Sequence, residues 1–145
     1  MKFPVTTEVT IFFSDCDPMG HCNNARFFSF MEHARVQYYK KLKALDLRTM
    51  NAQTAFGFIV AEATCSFKSP ATIDETLVVG ARIAEIGNKS FQFEYEIREK
   101  KTGRLVATAR TVQVMFNYKK QKSFPVPLLL LKKIENLEGR KFKPD

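Results

Sequence analysis

The chain of 145 residues predicts an α+β fold in which one long helix packs on an antiparallel sheet. Three observations carry that prediction. Apolar residues recur at three- and four-residue intervals over a long stretch after Asn24; they alternate with polar residues over several other stretches; and glycine-bearing turns separate three of the alternating runs at hairpin spacing. No repeat, low-complexity tract or linker interrupts this order, so residues 1–145 read as one domain, long enough to bury a core without disulfides or metal.

Val5 to Phe13 alternates, with Val5, Thr7, Val9, Ile11 and Phe13 on one side, the two-residue period of a strand. From Asn24 the period lengthens. Phe27, Phe30, Met31, Ala34, Tyr38, Leu42 and Leu45 share a stripe, while Glu32, His33, Arg35, Lys40 and Lys43 mostly fall elsewhere. This spacing predicts a helix of about five turns, its phenylalanine-rich face buried against a sheet. Phe56 to Lys68 alternates again, with Ile59, Ala61, Ala63, Cys65 and Phe67 opposite Glu62, Thr64, Ser66 and Lys68. Leu77 to Ile86 and Phe91 to Glu99 flank Gly87-Asn88-Lys89-Ser90, and Lys101-Thr102-Gly103 leads into Leu105 to Phe116, a three-strand meander. In the tail, Pro127 marks a helix start, Leu128, Leu131, Ile134 and Leu137 form a stripe, and Gly139 is the stop. The expected order is β-α-β-β-β-β with a short C-terminal helix.

A formal net charge of +8 invites a nucleic-acid reading, but the lysines and arginines lie in separate groups with no recognition-helix motif, which argues against it. One such group serves equally well for a smaller polyanion, such as a nucleotide-bearing cofactor. Cys16, Cys22 and Cys65 have neither zinc spacing nor the density of a secreted scaffold, and no uncharged run reaches the length of a membrane span. A cytoplasmic protein is the expectation.

The segment Ser14 to Phe28, SDCDPMGHCNNARFF, concentrates the chemistry. As a calcium loop it fails, since Met19 and Arg26 stand where acidic ligands are needed; a casual cation site from Asp15, Asp17 and His21 stays as an alternative. The helix end that follows presents unpaired backbone N–H groups and the positive end of a dipole, and Arg26 in its first turn opposes that dipole. A carbonyl placed there has its developing oxyanion stabilised, at about 2.7–4 kcal/mol per donor. Asp17 supplies a carboxylate to attack the carbonyl or deprotonate water, or is merely a turn residue before Pro18. Thioesters, with a good leaving group, suit this pairing.

The stretch Asp15 to Arg35, D-x-D-P-M-G-H-C-N-N-A-R-F-F-S-F-M-E-H-A-R, resembles the signature of the hot-dog-fold acyl-CoA thioesterases of the 4-hydroxybenzoyl-CoA thioesterase family, its H-x-N-N-A-R portion being most like the long-chain branch. Phe67 to Pro70 and Asn88 to Phe91 are similar to later segments of that family. The resemblance implies a sheet wrapped around the central helix and a homodimer, or a homotetramer of two dimers, with sites at the subunit interface. It implies no metal and no bound cofactor, since coenzyme A is part of the substrate. By the same resemblance Asp17 is the catalytic carboxylate, the backbone N–H near Asn24 polarises the carbonyl, and His21 and Asn23 orient water or substrate. Lys89 and Ser90 match a turn that contacts the coenzyme, with Lys89 alternatively a solvated turn residue, and Glu32 reads the acyl group, activates water or pairs with Arg35. From the residues themselves, Phe27, Phe28 and Phe30 are core or line an acyl tunnel. Cys22 departs from the valine or leucine usual in that motif. The acyl group, and the choice between coenzyme A and acyl-carrier-protein thioesters, stay open. Two other functions compete with hydrolysis: hydration or dehydration of an enoyl or hydroxyacyl thioester on the same fold, and non-catalytic binding.

Overall fold

The computed structural model describes residues 2–43 and 55–142. Its elements are β1 (Val5–Thr10), α1 (Arg26–Leu42), β2 (Gly57–Phe67), β3 (Thr76–Ile86), β4 (Ser90–Glu99), β5 (Leu105–Asn117), β6 (Lys122–Ser123) and α2 (Leu128–Glu138). The strands lie in the order β1-β3-β4-β5-β2, every neighbouring pair antiparallel, with the short β6 added to the end of β5. This is the α+β hot-dog arrangement the sequence predicts, with β6 the one strand it did not foresee.

The inner face of the sheet is built from one alternation repeated across it. Val79, Ala81 and Ile83 of β3 and Phe91, Phe93, Tyr95 and Ile97 of β4 are buried, and they meet Phe27, Phe30, Met31, Ala34, Tyr38 and Leu42 of α1. The predicted helical stripe is therefore the core stripe; Leu45 lies outside the described residues. Edge-to-face contacts knit the layers, Tyr38 to Phe93 at 4.9 Å and Tyr39 to Phe93 at 5.8 Å between centroids. Such pairs contribute about 0.5–1.5 kcal/mol each beyond area burial. Lys43, in the left-handed region at φ 56°, ends the helix.

Three expectations are corrected. The first strand stops at Thr10 rather than Phe13, because the backbone N–H of Phe12 turns to the Asp15 carboxylate at 2.9 Å and opens a 3-10 turn at Phe13–Asp15; Phe13 stands out into solvent. In β2 the register slips between Val60 and Glu62, so Val60, Ala63, Cys65 and Phe67 share the inner face with Gln113, Thr111, Ala109 and Ala107, while Ile59 moves to the outer face opposite Val114. In α2 the buried residues are Leu130 and Ile134, four apart, whereas Leu128 is 62 % exposed. That face continues one more turn to Glu138, a polar residue that a stripe of apolar positions does not reveal.

Candidate active site

Asp17, Pro18, Met19 and Gly20 form a tight turn closed by Gly20 N–H on the Asp17 carbonyl at 2.9 Å. The residue types fit their places: aspartate first, proline second, glycine last, with Gly20 at φ 84°. The Asp17 side chain accepts the Met19 N–H through Oδ1 at 3.0 Å; Oδ2 takes no hydrogen bond from the described residues. Around this turn the chain pairs with itself, Cys16 with Cys22, and Asp17 N–H donates to the His21 carbonyl at 3.0 Å.

A second segment forms the opposite wall. Cys22 N–H donates to the Ala71 carbonyl at 2.7 Å, and His21 pairs with Thr72. Residues 68–75 are fixed from below by Arg104, which donates to Ser69 Oγ, the Pro70 carbonyl and both oxygens of Glu75 at 3.1–3.2 Å. Glu75 in turn accepts the Thr72 N–H at 2.8 Å. The motif loop is thus strapped to a rigid neighbour rather than hanging from its own ends.

At the start of α1, Asn23 acts on the backbone. Its Oδ1 accepts the Ala25 N–H at 2.9 Å, its carbonyl accepts the Arg26 N–H, and its own N–H reaches the Asp15 carbonyl. The Phe27 and Phe28 N–H groups go to Asn24 and Ala25 carbonyls. Among the described residues the Asn24 N–H is left without an acceptor, at the positive end of α1. Arg26 has a local reason for its place in the first turn: Nε lies 3.5 Å from Asp15 Oδ1.

Asp17, His21, Asn24 and Phe27 line one cleft of about 430 Å³ together with Met19, Cys22 and residues 67–71. Phe27 meets Phe67 edge to face at 5.2 Å, forming its apolar wall. Sequence reasoning missed Lys68 as a lining residue, although a lysine just before Ser69-Pro70, where a strand must stop, marks a charged loop edge. Glu32 is exposed and does not pair with Arg35, whose guanidinium turns inward. Lys89 sits in the β3–β4 turn and Ser90 opens β4, at the far end of the sheet: β5 runs from Val106, which accepts the Lys68 N–H, to Val114, opposite Ser90, about 26 Å away by strand rise. Among the described residues no three His, Cys, Asp or Glu side chains converge as metal ligands, and no helix is long and apolar enough to cross a membrane.

Cys22 is buried beneath the cleft. Desolvation first, then the nearby Asp15 carboxylate and Cys16, push its thiol from the ordinary 9.0 to about 11. A raised acid favours the folded state while it stays protonated, so this contribution is complete below pH 9 and lost as pH rises through about 11. Native protein at pH 8 is therefore expected to leave Cys22 unalkylated while denatured protein reacts at all three thiols, a difference read by peptide mass spectrometry.

A family model described as "Thioesterase-like superfamily" matches residues 11–134. The long-chain acyl-CoA thioesterase FadM of Escherichia coli is 24% identical over 90% of this chain and 97% of its own. The uncharacterized protein YsmA of Bacillus subtilis is 29% identical over 65% of this chain and 60% of its own, so the match spans less than two thirds of that relative. Among solved structures, a thioesterase from Thermus thermophilus complexed with coenzyme A and Zn aligns with a TM-score of 0.84 at 29% identity, over 97% of this chain and 98% of that one.

Proposed function

The chain belongs to the thioesterase-like superfamily, and from that premise we propose that it hydrolyses acyl-CoA thioesters to a carboxylic acid and coenzyme A. One observation carries the reading: Asn24, whose N–H has no acceptor among the described residues, and Asp17, whose Oδ2 takes no hydrogen bond from them, line the same cleft at the start of the buried helix. The thioester oxygen accepts from the Asn24 N–H, where the helix dipole favours the negative charge that develops on attack. Asp17 either adds to the carbonyl carbon, expelling the thiolate, with water then cleaving the mixed anhydride, or takes a proton from the water that attacks directly. In both routes the C–S bond breaks, one water is consumed, and a proton passes to the coenzyme thiolate. His21 edges the cleft and orients water; Asn23 holds the backbone that aims the donor. FadM, a long-chain acyl-CoA thioesterase by name, supports the substrate class.

The same reading takes the working unit to be a homodimer. Among the described residues the outer edge of β2 is unpaired, and Val60 and Phe67 on its inner face are exposed, a pattern that favours association. Two copies joined antiparallel through β2 bring the β3–β4 turn of one near the cleft of the other. Lys89 and Ser90 of a second copy then contact the coenzyme, and Lys68 contributes a cation from the same chain. Three free thiols support a reducing compartment such as the cytoplasm.

Thiol release from coenzyme A and acyl-carrier-protein thioesters of graded length tests the hydrolysis, and release from none of them removes it. Ala63→Asp, a charge in the middle of β2, is expected to convert dimer to monomer in sedimentation. A dimer unaffected by that change would move the interface away from β2.

A further inference from the structure

Arg35 projects from α1 toward the sheet and is 8% exposed. Its Nη1 donates to the Tyr95 hydroxyl at 3.2 Å; Tyr95 meets Thr111 Oγ1 at 2.7 Å; and Thr111 Oγ1 lies 2.5 Å from the Gln113 side-chain amide. With that amide oriented so that its nitrogen donates to the Phe91 and Thr111 carbonyls at 3.2 Å each, its oxygen accepts from Thr111, and donation runs one way from Arg35 to Gln113. Beside this chain, one turn of α1 beyond Arg35, the Tyr39 hydroxyl, on a residue 3% exposed, has no partner among the described residues. Among the described residues no carboxylate pairs with Arg35, which makes one side-chain hydrogen bond out of five possible donors. A buried hydroxyl without an acceptor is costly, and an anionic oxygen both accepts from it and gives the Arg35 guanidinium a counter-ion.

The route to this cluster begins at the cleft. Phe67 of the cleft wall, Cys65 and Ala63 follow one another along the inner face of β2, opposite Ala107, Ala109 and Thr111. Small side chains floor the path, and Ala63 is exposed beside Thr111. From Phe67 to Ala63 the strand rises about 13 Å. With carbon–carbon bonds of about 1.5 Å, an extended acyl chain of about ten carbons covers that span.

We propose that the acyl arm lies along the inner face of β2 and that Arg35 and Tyr39 end this groove as a receptor for a carboxylate, so that ω-carboxylated acyl thioesters are preferred to plain fatty ones of equal length. The location of the groove rests on the hydrolase reading above; the receptor chemistry rests on the Arg35 cluster. Non-hydrolysable thioether analogues of coenzyme A separate the two. Calorimetry with paired plain and ω-carboxylated thioethers, from about six to about fourteen carbons, is expected to give a carboxylate preference of about tenfold or more at one optimal length. Tyr39→Phe keeps the ring and the packing and is expected to narrow that ratio severalfold; Arg35→Gln is expected to abolish it, with kcat/KM on the matching thioesters following. Equal or weaker binding of the carboxylated member at every length overturns the proposal, as does a ratio unchanged in Tyr39→Phe. A carboxylate preference in binding with no thiol released supports the receptor and removes the hydrolase reading. Release from plain thioesters without any preference does the reverse.

Discussion

Asp17→Asn is expected to lower kcat for thioester hydrolysis by about 10²–10⁴-fold with the fold intact. Asparagine retains the side-chain oxygen that accepts the Met19 N–H, so the turn through Gly20 closes as before. What changes is the other oxygen, Oδ2, which becomes an NH₂ group unable to attack a carbonyl or hold a proton. Circular dichroism and the urea midpoint are therefore unmoved while turnover falls, and substrate binding changes little because the Asn24 N–H and the Phe27–Phe67 wall remain. A burst of thiol equal to the enzyme in pre-steady-state kinetics marks the nucleophilic route, since the mixed anhydride accumulates after the first C–S cleavage. Turnover in the variant equal to that of the parent removes Asp17 from either role.

The long helix was legible because its period is local: residues three and four apart share a face whatever the sheet does, and each described member of the predicted stripe is buried. The β2 alternation was less so. A bulge adds one residue without altering composition, and Ile59 changes sides for a reason that lies in its pairing with β5. The exposed Phe13 misled in the opposite direction, since an aromatic in phase with the strand reads as core until the Asp15 carboxylate takes the Phe12 N–H and bends the chain.

At the site, the turn chemistry of Asp17 to Gly20 was written in residue types. Residue types alone did not single out Asn24, which only the family resemblance named, because its candidate role lies in a backbone N–H left without an acceptor among the described residues, and that is a matter of accounting in three dimensions. Arg104 illustrates a second limit. It follows Gly103 at a hairpin end, where an arginine reads as a solvated turn, yet it spans to Ser69, Pro70 and Glu75 from thirty residues away and fixes the wall of the cleft. Arg35 is a third case, assigned by period to the flank of the helix and found buried on the sheet, where its long apolar stem packs and its head meets Tyr95.

Glu138→Ala is expected to destabilise the protein by about 2–5 kcal/mol, the larger of the stability effects anticipated here. The carboxylate at the end of α2 accepts two donors from the core: the hydroxyl of Tyr38, and the backbone N–H of Ile83 at 2.9 Å. Both residues are fully buried, and Ile83 stands where the β3–β4 register slips, so its N–H depends on a partner outside the regular ladder. Alanine leaves both donors without this acceptor, on two residues that are themselves fully buried. Burial, and then the bond to Glu138, raise the Tyr38 hydroxyl well above the tyrosine range, so the pair is complete below pH 10 and lost only as pH rises beyond it. Glu138→Gln keeps an acceptor and loses the charge, and is expected to cost about 1 kcal/mol. Urea unfolding of the two variants distinguishes this account from simple loss of helix propensity, because alanine and glutamine are both good helix formers and a propensity effect alone leaves them nearly equal. If both variants unfold at the parental midpoint, α2 is held by Leu130 and Ile134 alone and the carboxylate contributes nothing.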